Sequence, residues 1–597
     1  MSRRKIKNKN MKKHVLFFTI FLIGANLFAQ DNELSNRLIQ KYETSKQNSL
    51  TKSATVSDHL WLTPLLSEAN RNWDNLTKEA QDYFKDYRNR PTFTGTEDVV
   101  TYGNFAFHYT TDGPADESVD PTDNDGNYIP DYVDFMAETF VDEIYELYHT
   151  TTGLTVPPAD GTNGGDALYD VYISGSAAGS GVYGYVAGET DIGDNPNSTS
   201  LTEVDAYTSY MVMRNNYDGF SGTEDVCIGV TSAHEYMHAV QNGYTGNMGI
   251  WFMEICATWS EEFAYPGYDD NFQYLMDLFG KPDVALNLED GEDSQHDGHW
   301  YSSWLFAKYL TEHTENSIIK SIYERCIDDY AAYAIDDELA ANWSSSFDQQ
   351  FKNFVVANVV MDNNSAYSPY TYQRAADYAT YVYNNGGLAF EYMFNYSGSN
   401  ITFNSQTDGN NRLMRLSSDY FQLTSNGNFR MILTPVNVSD ELEFILVKIN
   451  ETNSTINIQS ANILSNQAIM NVTDFSSWEY FIPIVIRHDV DVEDINPSNY
   501  SILVTTADYS SVEENVSSQT INVFPNPSSD FISIEIGNNE NIKLAFELYD
   551  ISGKLVKEWI PQQNNRYDIS DLSEGVYTLK TSVNGNSILF KKIIITR

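Results

Sequence analysis

The chain has 597 residues, with 36 Lys and Arg against 83 Asp and Glu, and three cysteines. That length exceeds what one hydrophobic core supports, so several domains are expected, while 41% hydrophobic and 14% aromatic residues exclude global disorder. A net charge of −47 excludes electrostatic binding to nucleic acid or anionic lipid, and three cysteines exclude a disulfide scaffold.

The first thirty residues hold seven of the basic side chains and no acid, and an apolar run from Val15 to Phe28 is closed by Ala29 and Gln30. A basic head, a short apolar segment and a small residue form the layout of a secretory signal over residues 1–30. Nothing comparable recurs, so no transmembrane anchor is expected in the mature chain. Residues 31–95 read as helical stretches at 32–47 and 76–87 with polar linkers, ending at Arg90 and Pro91. They are either a pro-segment or an N-terminal brace.

Residues 96–368 mix strand-like runs (170–173, 209–213) with helical ones (132–148, 230–243, 300–323), the pattern of an α+β domain. Near its start, Asp123, Asp125, Asn127 and Asp131 alternate oxygen side chains around Gly126, with Asp134 one turn further on. Hard cations such as Ca²⁺ take several such oxygens from one short loop. The spacing resembles thrombospondin type 3 calcium loops. The plainer alternative is a solvated acidic turn that starts the helix at Tyr132.

His234-Glu235-Tyr236-Met237-His238 carries the chemistry. On a helix, positions i and i+4 lie one turn apart on one face, so both imidazoles can reach one Zn²⁺. Glu235, beside the first ligand, can take a proton from zinc-bound water. Catalytic zinc usually has a third protein ligand, and residues 251–262 read as a second helix on which Glu254, Thr258 and Glu261 share a face. Glu254 is the first choice, with Glu261 behind it orienting a histidine; Glu261 is also the alternative ligand. The metzincin pattern needs Gly and His where Gln241 and Tyr244 stand, and is excluded. Cys227, Cys256 and Cys326 are expected as buried thiols, with a Cys227–Cys256 bridge as the other option.

From 369 to 515, short alternating segments separated by Gly, Asn, Ser and Asp turns read as an all-β sandwich. Residues 516–597 carry eight basic and nine acidic side chains, whereas 31–515 carry 21 and 74. So sharp a change marks a separately acquired module.

Two resemblances follow from these blocks. Val523–Asp530, Leu548–Val556, Asp571–Leu579 and the final Phe590–Ile595 resemble the C-terminal sorting domain of the type IX secretion system. That implies export by the type IX secretion machinery, removal of the tag, and release or attachment at the cell surface. The stretch from His108 to Tyr323 resembles the gluzincins, the His-Glu-x-x-His plus Glu metallopeptidases, and more closely a group of uncharacterised secreted bacterial metalloproteases. The resemblance implies that His234, His238 and Glu254 bind zinc and that Glu235 is the general base. It also implies an oxyanion donor beyond the third ligand, for which Tyr301 and His299 are the candidates and Tyr301 is preferred. Glu254 stands closer to the motif than the third ligand of thermolysin-like members. The function expected is zinc-dependent endopeptidase action on a protein or peptide substrate. The alternative is a non-enzymatic surface adhesin or glycan binder with a structural metallopeptidase-like domain.

Overall fold

The computed structural model describes residues 32, 34–43, 62–179, 181–246, 248–288, 299–440, 442–464, 466–490, 496–507, 521–536, 544–550, 554–560, 565–583 and 586–596. The expected signal at 1–30 and the proposed module start at 516 lie outside them. The chain divides into two compact units. The first holds residues up to Ala389 together with Arg412–Asp419 and Ile486–Pro497, and the second holds the remainder.

The first unit is built on a five-stranded mixed sheet of β1 (Asp98–Tyr102), β2 (Phe105–Tyr109), β3 (Tyr169–Ile173), β4 (Gly184–Gly193) and β5 (Ala206–Met213), in the order β1-β2-β3-β5-β4. β2, β3 and β5 run parallel, while β1 and β4 are antiparallel edges. The central strands are buried on both faces, because side chains that alternate along a strand meet helices on each side. Tyr172, Tyr185, Ala187, Tyr210 and Val212 face α1 (Leu62–Arg71) and α2 (Lys78–Phe84).

The motif helix α4 (Glu224–Asn242) packs against β4 and β5 and against α5 (Ile250–Ala264). It starts six residues earlier than the apolar pattern suggests, because Glu224 and Asp225 favour the positive end of the helix dipole. α3 (Asp131–Glu138) falls between β2 and β3 in the chain and continues to Thr151 with π-type hydrogen bonding. The single helix expected over 300–323 is three pieces: His299–Ser302, α6 (Trp304–His313) and α7 (Ile318–Cys326). The second break falls on the polar run from Thr314 to Ser317, where no apolar stripe continues.

The boundary expected at 369 is displaced. A helix, Ala375–Asn384, follows it, burying Ala375, Tyr378 and Val382, and the first sandwich strand begins only at Tyr392. Arg374 and Tyr378 both bond Glu262 of α5, which ties this stretch to the first unit.

Two five-stranded sheets, most of whose residues belong to the second unit, form the sandwich, one including Tyr392–Tyr396 and Ser417–Ser425, the other Ile401–Asn404 and Tyr500–Thr506. Phe403 meets Phe421 across them at 5.2 Å between ring centroids. The tail forms a three-stranded and a four-stranded sheet around Ile532, Ile534, Phe546, Leu548, Tyr567, Ile569 and Ile593.

Candidate metal centre

His234 and His238 project from successive turns of α4, with their ring centroids 4.9 Å apart. α5 is buried on nearly every side, so Glu254 can reach them only from within the protein. Its carboxylate lies between the two rings, with Oε2 3.4 Å from His234 Nε2 and Oε1 3.2 Å from His238 Nε2. Among the described residues, these three form the one group of His, Cys, Asp or Glu ligand atoms within 4.8 Å of one another.

The other nitrogen of each imidazole is committed. His234 Nδ1 donates to Glu261 Oε1 at 2.7 Å, so Glu261 backs the histidine while Glu254 faces it. His238 Nδ1 donates to Gln241 Oε1 at 2.8 Å. The Gln241 amide is oriented in turn, because its Nε2 donates to the Met253 carbonyl and to the Tyr323 hydroxyl. Both histidines are thereby set to present Nε2 toward Glu254, the tautomer a metal ligand needs. Gln241 served in the sequence only to exclude a family, and Tyr323, 82 positions away, carried no local signal.

The three groups also perturb one another strongly. Burial would raise the Glu254 carboxyl, but His238 and His234 hold it down at about 2. Burial would likewise lower His234, yet Glu254 and Glu261 raise it well above its ordinary value. Glu261 is pushed up to about 7 by burial, against the pull of His234. Both Glu254 oxygens and His238 Nε2 are buried and make no hydrogen bond to a described residue. One cation among the three would satisfy these atoms together. Two imidazole nitrogens and a carboxylate are a donor set that fits Zn²⁺.

Glu235 borders a cavity of about 70 Å³, lined also by His234, Glu261, Asp270, Tyr274 and Tyr301. Tyr301 lies on the short helix His299–Ser302, stacks on Tyr274 at 5.1 Å, and has its ring 5.8 Å from that of His234. Burial, then the charges of Glu254 and the neighbouring Tyr274 and Glu235, raises its hydroxyl pKa well above the usual value, so it stays protonated and able to donate. Asp270 had no sequence signal; burial raises its carboxyl to about 6. The cysteines Cys227, Cys256 and Cys326 are free and buried.

The acidic loop closes on itself. Asp123 accepts from the backbone N–H groups of Gly126, Asn127 and Tyr128, Asp125 from that of Asn127, and Asp131 from that of Asn124. Asn127 Nδ2 donates to Asp134 at 2.7 Å. These contacts draw Asp123, Asp125, Asn127, Asp131 and Asp134 into one turn at the start of α3. Its carboxylates form no group of three oxygens as close as those of the histidine site.

Residues 522–596 match the secretion system C-terminal sorting domain. The protein is therefore secreted or held at the cell surface, and the type IX secretion machinery is its partner. Among the described residues, no helix is long and apolar enough to cross a membrane. No curated protein matches the chain. Solved structures that match include the β-glucuronidase of Faecalibacterium prausnitzii, 10% identical with a TM-score of 0.14, covering 30% of this chain and 36% of that one. The β-glucuronidase of Parabacteroides merdae is 8% identical with a TM-score of 0.15, covering 30% and 28%. The chain spans little more than a third of those enzymes at most, and so slight a likeness carries no argument about fold or activity.

Proposed function

We propose that the first unit is a secreted, gluzincin-like zinc peptidase. The observation that carries this reading is the buried convergence of His234 Nε2, His238 Nε2 and the Glu254 carboxylate, with Glu235 on the wall of the cavity that His234 also lines. His234, His238 and Glu254 would hold the ion, with Glu261 and Gln241 fixing the two imidazoles from behind. Zinc in such a site lowers the pKa of water and polarises a carbonyl.

The chain's own groups do the rest. Glu235, next to His234 and on the cavity wall, takes the proton from the attacking water and returns it to the departing amine. Tyr301 keeps its proton and donates a hydrogen bond to the carbonyl oxygen as negative charge develops there.

The test is digestion of a broad peptide library by the zinc-loaded protein, with and without a chelator. Cleavage that the chelator abolishes and added zinc restores is the expected result. A loaded protein that cleaves nothing in the library overturns the reading.

A further inference from the structure

Glu235 is held by a residue 172 positions earlier. The Thr63 hydroxyl, in the first turn of α1, donates to Glu235 Oε2 at 2.8 Å and accepts from the Val186 backbone N–H at 3.0 Å. Val186 lies on β4, which pairs with β5 on one side only, so an N–H on its free side needs an acceptor from elsewhere. Because the Thr63 oxygen accepts from Val186, its single proton is directed at Glu235. Thr63 is 3% exposed and Glu235 7%, so bulk water does not compete for this bond.

The segment that delivers Thr63 is built into the unit. Leu62, Leu65, Leu66, Ala69, Ala80 and Phe84 pack on the face of the sheet turned away from α4, in one cluster with Tyr172, Tyr185, Tyr210 and Val212. Its far end is anchored by Arg90, whose guanidinium pairs with Asp160, Asp170 and Glu189. Loss of the segment would uncover that apolar face and leave three carboxylates without their cation.

We propose that Thr63 is a positioning residue for Glu235, and that residues 62–90 are a retained wall of the catalytic unit and not a pro-segment discarded on maturation. The proposal rests on the peptidase reading of the site. It turns the open alternative at 31–95 toward the brace, with a role in the chemistry.

The intact mass of the secreted protein gives the first readout. A mature chain that begins before Leu62 is expected, and one that begins after Arg90 overturns the proposal. The second readout is Thr63→Val, which keeps the side-chain shape and removes the hydroxyl. A lowering of kcat on the order of 10- to 100-fold is expected, with KM and zinc content unchanged, as for a misplaced catalytic group. Thr63→Ser, which restores the donor, recovers most of that loss. An unchanged kcat in Thr63→Val overturns the positioning role. A raised kcat does so too, since Thr63 would then be blocking Glu235. A wild-type protein that binds zinc and cleaves no peptide sinks the peptidase reading instead, and the mass measurement separates the two failures.

Discussion

Glu235→Gln leaves zinc bound and lowers peptide hydrolysis by roughly 10²–10⁴-fold, the contribution of a positioned general base. The amide is nearly isosteric and its oxygen can still accept from Thr63, so the wall of the cavity is kept. What is lost is the capacity to take a proton. Glu235 is not one of the three groups whose atoms converge, so zinc content should not change. Parallel measurement of zinc content and hydrolysis rate checks both halves. Undiminished hydrolysis would mean that another group activates the water, and lost zinc would mean that Glu235 is a ligand.

Glu254→Ala should abolish zinc binding at stoichiometric loading, whereas Glu261→Ala should weaken it by about 10–100-fold and leave measurable hydrolysis. The difference follows from where the two carboxylates lie. Glu254 faces both Nε2 atoms, is 0% exposed, and has no hydrogen-bonded partner among the described residues. Its removal deletes a ligand and leaves two buried imidazoles with nothing to share. Glu261 contacts only the outer nitrogen of His234, so its loss frees the ring to turn without removing a donor atom. Titration of the two variants against a zinc chelator separates the outcomes. If Glu261→Ala loses zinc and Glu254→Ala keeps it, the roles are reversed.

How much of this was legible in the sequence depended on distance along the chain. The spacing of His234 and His238 is a property of one helix, and the shared face of Glu254 and Glu261 a property of another, so local periodicity was enough to bring out four residues. Gln241 was also within reach, three positions after His238, but a glutamine acquires meaning only when Met253 and Tyr323 orient its amide. Thr63 was out of reach. Its helix has Leu62, Leu65, Leu66 and Ala69 at helical spacing, yet Pro64 in the first turn makes it resemble a linker, and residue spacing cannot report a bond across 172 positions. β4 escaped for a similar reason, since Gly184, Gly188 and Gly193 punctuate it like a loop. The acidic loop is legible in two ways from its spacing alone. Its alternating oxygens are equally suited to accepting from their own backbone, and that is what Asp123 and Asp131 do.

The most direct test of the metal centre is elemental analysis of the purified secreted protein after zinc loading and desalting. The geometry predicts about one zinc per chain in this site, lost when His234 and His238 are both replaced by Ala in a variant that keeps the wild-type circular dichroism. A wild-type chain that retains no zinc, or a double variant that retains as much as the wild type, would contradict it.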